Sequence, residues 1–99
     1  MDAKMIIHPG EVLKEEFLDP YGLSASRLAA AIGVPTNRIT SIINGDRGIT
    51  GETAILLAHA FGTTSEFWLN LQQMYDLSKT RLESGERIER EVRVGKRIA

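Results

Sequence analysis

The sequence predicts an all-α domain organised around a helix-turn-helix. Between Leu23 and Thr50 two short apolar-periodic stretches flank Gly33, which supplies the left-handed conformation that a sharp helix-to-helix turn requires. On either side of that pair, apolar residues again recur at three- and four-residue intervals, the period of a helix with one buried face. The length of 99 residues, 42% of them apolar and 25% charged, allows one modest core, and the absence of cysteine leaves that core to packing alone.

After a lead over residues 1–7, Pro9 suits the first position of a helix of roughly ten residues, with Glu11 where a negative charge favours the helix N-terminus. Val12, Leu13 and Phe17 form its inward stripe, Leu18 lies at the edge of it, and Pro20 and Gly22 end it. Ser24 then caps a second helix whose inward positions are Leu28, Ala29 and Ile32; small Ala29 allows a close crossing. Beyond Gly33, Pro35 fits the first turn of a third helix that buries Ile39 and Ile42 and stops at Asn44-Gly45. Asp46 to Ile49 reads as a loop. Thr50 precedes a fourth helix with Ala54, Leu57, Ala58 and Phe61 inward, closed by Gly62.

Thr64 caps a fifth helix on which Phe67, Trp68, Leu71, Met74 and Tyr75 share a face wider than so small a core can cover. Trp68, Leu71, Met74 and Tyr75 are therefore the expected interface of a homodimer. This helix is expected to reach about Leu82 and to break at Ser84-Gly85. Residues 8–77 thus form the domain, and 78–99 form the end of the last helix and a charged tail, with Ile88, Val92 and Val94 as a short helix or strand edge.

Net charge is −1, but it is unevenly spread: residues 24–50 carry three basic residues against one acidic, and 51–76 carry three acidic and no basic ones. A weakly basic helix pair on an acidic domain gives modest non-specific affinity for nucleic acid and leaves room for sequence-specific binding by a dimer. With Ile39 and Ile42 inward, the third helix presents Thr36, Asn37, Thr40 and Ser41, flanked by Arg38, to the base edges of a major groove. Asn37 suits an adenine edge and Arg38 a guanine edge or a phosphate. Ser24, Ser26, Asn44 and Arg47 suit the DNA backbone.

Catalysis finds no support. His8 and His59 are the only histidines, neither lies in an HExxH pattern, and no serine stands in a GxSxG elbow. His8 reads as a helix-start residue and His59 as a partly exposed one on the fourth helix. No metal, no cofactor and no small-molecule substrate is expected. No apolar run is long enough to span a membrane or act as a signal peptide, which places the expected site of action in the cytoplasm.

Three segments carry a resemblance. HPGEVLKEEFL at His8 to Leu18, VPTNRITSIINGDRGIT at Val34 to Thr50 and GTTSEFWLNLQQMYDL at Gly62 to Leu77 closely resemble the HigA antitoxins of the Xre/Cro-like repressor group. The resemblance implies a five-helix, lambda-repressor-like DNA-binding domain, a homodimer on palindromic operator DNA, and repression of its own operon. It also implies a toxin partner of HigB type, a RelE-like, ribosome-dependent mRNA endonuclease. The family's base-reading roles would fall on Thr36, Asn37, Arg38, Thr40 and Ser41. Thr36 and Asp46 depart from the family's frequent arginine and lysine. A stand-alone Xre-type regulator without a toxin would share the same DNA-reading residues.

Overall fold

The computed structural model describes residues 6–92, which form five helices and no strand. The first helix begins as α1, Pro9–Val12, continues as a π-helical stretch, Leu13–Leu18, and ends in a 3-10 turn, Asp19–Tyr21. Then follow α2, Ala25–Ile32; α3, Thr36–Ile43; α4, Gly51–Phe61; and α5, Ser65–Glu91. The π-helical stretch revises the stripe expected from α-helical spacing. Bonding each amide to the fifth carbonyl back brings residues five apart onto one side, so Leu13 and Leu18 are both buried while Phe17 is only half-buried.

The core gathers Leu13 and Leu18 from the first helix, Leu28 and Ala29 from α2, Ile39 and Ile42 from α3, Ala54 and Leu57 from α4, and Trp68 from α5. Ile49, expected in a loop, is also buried. Trp68 is at the centre of an aromatic cluster, its ring 5.0 Å from those of both Phe17 and Phe67. Its indole N–H donates to Thr63 Oγ1 at 2.8 Å, so burial leaves no polar atom unmatched. That position corrects one expectation: Trp68 has no exposed surface left for a second subunit. Leu71 and Tyr75 are half-buried and Met74 is 65% exposed.

α5 differs most from the sequence reading. It passes Ser84 and Gly85 without a break and runs for 27 residues, about 40 Å at 1.5 Å per residue. Pairs four residues apart, Lys79–Glu83 and Arg87–Glu91, support the part that the glycine weakens. Its length is the reason the molecule measures 52 Å in one direction and only 26 and 20 Å in the others. Ile88 lies within the helix and Val92 just past its end; Val94, with the rest of 93–99, lies outside the described residues, as do positions 1–5 of the lead.

Candidate nucleic-acid interface

Ser24 Oγ accepts the Arg27 amide at 3.1 Å and so starts α2. Gly33 ends it in the left-handed conformation, φ 73°, and the Val34 amide donates back to the Ala29 carbonyl at 3.0 Å. Pro35 is extended and precedes α3 instead of lying in its first turn; its carbonyl accepts the Arg38 amide at 3.0 Å. No side chain caps α3, so the Thr36 and Asn37 amides, unlike that of Arg38, are open to an acceptor from outside the chain. At the other end Asn44 stays right-handed and Gly45, φ 82°, takes the left-handed position.

Ile39 and Ile42 are fully buried, which fixes the rotation of α3 and turns Thr36 and Asn37 outward, both exposed. Thr40 and Ser41 are half-buried on the same helix. The Thr40 hydroxyl donates to the Asn37 carbonyl at 3.3 Å, which leaves its oxygen to accept. Arg38 is pulled aside: its guanidinium lies 3.4 Å from a carboxylate oxygen of Glu52 in the first turn of α4. Ser24 and Ser26 are exposed with hydroxyls 3.3 Å apart, and Asn44 and Arg47 are exposed just past α3.

Three residues that the sequence reading left without this role hold α3 in place. His8 Nδ1 accepts the Gly10 amide at 2.9 Å, capping α1, and the same ring meets Tyr75 edge-on at 4.8 Å. Burial pushes the His8 pKa down against the nearby carboxylates of Asp76, Asp46 and Glu11. Gly10 packs directly on the end of α3, because a Cβ there would overlap the Ile42 carbonyl. In the loop after α3, the Ile49 amide donates to Gln72 Oε1 at 2.7 Å and Gly48 lies against the same side chain, while Gln72 Nε2 donates to Asp76. A glutamine within an apolar stripe was the available signal for that brace.

Among the described residues no group of His, Asp and Glu is arranged to hold a metal ion, and no helix is long and apolar enough to cross a membrane. Residues 13–69 match the helix-turn-helix family. A HigA-family addiction module antidote protein from Coxiella burnetii is 53% identical, with a TM-score of 0.84 over 88% of this chain and 95% of that one. The chain belongs to the HigA antitoxin family of Xre-like helix-turn-helix proteins.

Other HigA proteins agree. Antitoxin HigA-1 of Vibrio cholerae is 50% identical over 72 residues, 73% of this chain and 68% of that protein. The Pseudomonas aeruginosa antitoxin HigA solved with the higBA promoter is 39% identical, with a TM-score of 0.86 over 88% of this chain and 95% of that one. The chain spans about two thirds of the length of the curated relatives it matches. Of the nine candidate DNA-contacting residues, Ser24 caps α2, Ser26 lies on it, Thr36, Asn37, Arg38, Thr40 and Ser41 lie on α3, and Asn44 and Arg47 follow it within four residues.

Proposed function

We propose that this chain is an antitoxin that binds operator DNA as a homodimer, represses its own operon in the cytoplasm, and neutralises a HigB/RelE-like ribosome-dependent mRNA endonuclease. The observation that supports it best is α3: two isoleucines fix its rotation, Gly10 packs on its end, Gln72 holds the loop that follows it, and its outward polar side chains and uncapped first turn suit a major groove. Thr36, Asn37, Thr40 and Ser41 read bases, with Arg38 joining them once it leaves Glu52. Ser24, Ser26, Asn44 and Arg47 hold phosphates. Leu71, Met74 and Tyr75 serve the dimer. The likeness to HigA antitoxins supports the toxin partner.

Two measurements separate the parts of this reading. Asn37→Ala is expected to weaken binding to DNA from its own promoter by about 1–3 kcal/mol while leaving random duplex almost unchanged. Equal losses on both would remove Asn37 from base reading. Co-expression with each small neighbouring reading frame tests the second part: one product is expected to arrest growth alone and to be silenced by this chain. A chain that shifts its promoter and rescues nothing is a stand-alone regulator of the same fold.

A further inference from the structure

We propose that His8 is a proton-operated switch on operator binding: neutral, it holds the first helix against the end of α3, and protonated, it lets that end go and the DNA with it. The proposal rests on the reading of α3 as the helix that enters the groove. As the N-cap of α1, His8 turns its ring back so that Nδ1 accepts the Gly10 amide at 2.9 Å, and its carbonyl accepts the Glu11 amide at 2.9 Å. Only a neutral imidazole has a nitrogen free to accept, so this bond requires the ring proton to be on Nε2. A second proton, on Nδ1, sets one N–H against another, breaks the cap and leaves the amide of buried Gly10 unpaired.

The ring is placed where such a change reaches α3 by two routes. One is the backbone of Gly10, which lies so close to Ile42 and Ile43 that a Cβ would overlap the Ile42 carbonyl. Main chain rests on main chain there, so no side chain takes up the slack when the cap opens. The other is the ring itself, which stands 4.0 Å from where a Cβ would be at Gly45, the residue whose left-handed backbone, φ 82°, follows the end of α3. The Gly45 amide donates to the Ile42 carbonyl at 3.0 Å, and the Asp46 amide donates to the Ser41 carbonyl at 2.8 Å. Ser41 is among the residues proposed to read bases, so the turn against which His8 packs is bonded directly to the reading helix.

The groups around the ring give its charged form a second place to go. Glu11 from the first helix, Asp46 from the turn after α3 and Asp76 from α5 act on it by charge, and the Tyr75 ring of α5 meets it edge-on at 4.8 Å. Burial opposes all three carboxylates and outweighs them, so the folded chain keeps His8 neutral at about pH 7. Once charged, the imidazolium donates from both nitrogens, and the carboxylates of Asp46 and Asp76 are acceptors that the cap does not use. A pull on Asp46 strains the turn bonded to Ser41, and a pull on Asp76 competes with the Gln72 Nε2 that donates to it at 3.0 Å, while Gln72 Oε1 holds Ile49. Both pulls loosen the same end of α3. By linkage, promoter DNA that binds only the braced form lowers the His8 pKa further, and its release takes up a proton.

Promoter affinity measured by fluorescence anisotropy across the titration of histidine tests the switch. Between about pH 7.5 and about pH 5 the chain is expected to lose roughly fivefold or more of its promoter affinity while circular dichroism shows its helices intact. Random duplex, bound by charge alone, is expected to bind no more weakly over the same range. His8→Asn keeps an N-cap acceptor that does not titrate there; at about pH 7.5 it should bind promoter within roughly twofold of the parent chain, and it should lose the pH dependence. An NMR titration of the His8 ring in the parent chain is the second readout: its pKa should fall when promoter DNA is added. Should the asparagine cap prove too weak to support binding, that titration decides alone. Parallel pH profiles for the two chains, or a His8 pKa that promoter DNA leaves unmoved, overturn the switch and leave α3 as the reading helix. A parent chain that prefers its promoter to random duplex at no pH overturns both.

Discussion

Replacing Gly10 by alanine tests whether the start of α1 holds α3, the proposed reading helix. The added Cβ would overlap the Ile42 carbonyl oxygen, stand 2.6 Å from its carbon and 2.9 Å from the Ile43 Cα. All three atoms are backbone, so no side chain can rotate away, and relief requires the first helix and α3 to separate. Overpacking of this kind costs about 1–3 kcal/mol, and contact with main chain on both sides places Gly10→Ala at the upper end, about 3 kcal/mol. For a domain of this length each kcal/mol moves the melting temperature by about 4–8 °C, so a drop of about 12–24 °C is expected in a thermal melt followed by circular dichroism. Gly51→Ala is the control, because a Cβ there meets nothing within 4 Å. Promoter affinity should fall with Gly10→Ala even well below its melting temperature, since the end of α3 is displaced. A variant that melts within about 2 °C of the parent chain would refute the packing argument.

His8 makes stability depend on pH. Its folded pKa is lowered from the ordinary 6.5, chiefly by burial, while Glu11 on the first helix, Asp46 after α3 and Asp76 on α5 pull the other way, and Tyr75 packs on the ring. The unfolded chain therefore takes up the proton first, so the contribution of neutral His8 is complete above pH 6.5 and is lost as pH falls through the lower folded value. Melting temperatures taken from about pH 8 to about pH 5 should show the decline, and His8→Ala should remove that part of it. Glu52→Gln frees Arg38 and removes a negative charge beside α3; it should raise affinity for random duplex and steepen its salt dependence, with stability changed by no more than about 1 kcal/mol. An unchanged salt slope would show that Arg38 does not reach phosphate once released. Thr63→Val strands the buried indole N–H of Trp68 and should cost about 1–3 kcal/mol in a denaturant titration, accompanied by a change in Trp68 fluorescence.

The helix pair was legible because its signals are local. Ser24, Gly33 and Gly45 each act on the backbone within a turn of themselves, and Ile39 and Ile42 show their face by spacing alone. What was not legible depends on partners distant in sequence. Leu18 joined the core through a π-helical stretch that no spacing rule for α-helices anticipates. Trp68 looked like an interface residue because its helix is apolar on a wide front, yet Phe17, Phe61 and Phe67 from three elements close over it. Ser84-Gly85 is a breaker by propensity, yet α5 passes through it, flanked by the four-apart ion pairs Lys79–Glu83, Glu86–Arg90 and Arg87–Glu91. Glu52 gave no hint that it would meet Arg38.

The segments that carry the family likeness outside the helix pair prove to be the ones that grip it. His8, Pro9 and Gly10 form a cap whose tight backbone lies under Ile42, and Gln72 and Tyr75 reach from α5 to the loop after α3 and to the His8 ring. A helix of eight residues is marginal by itself, so its position is set by what it packs on. Here both ends of that support converge on the same turn of α5. Any second copy or protein partner that shifts α5 must therefore act on the end of α3 through Gln72 and Tyr75. A change made only at Gln72, such as Gln72→Leu, should then weaken promoter binding while leaving Thr36, Asn37 and every other residue proposed to contact DNA in place.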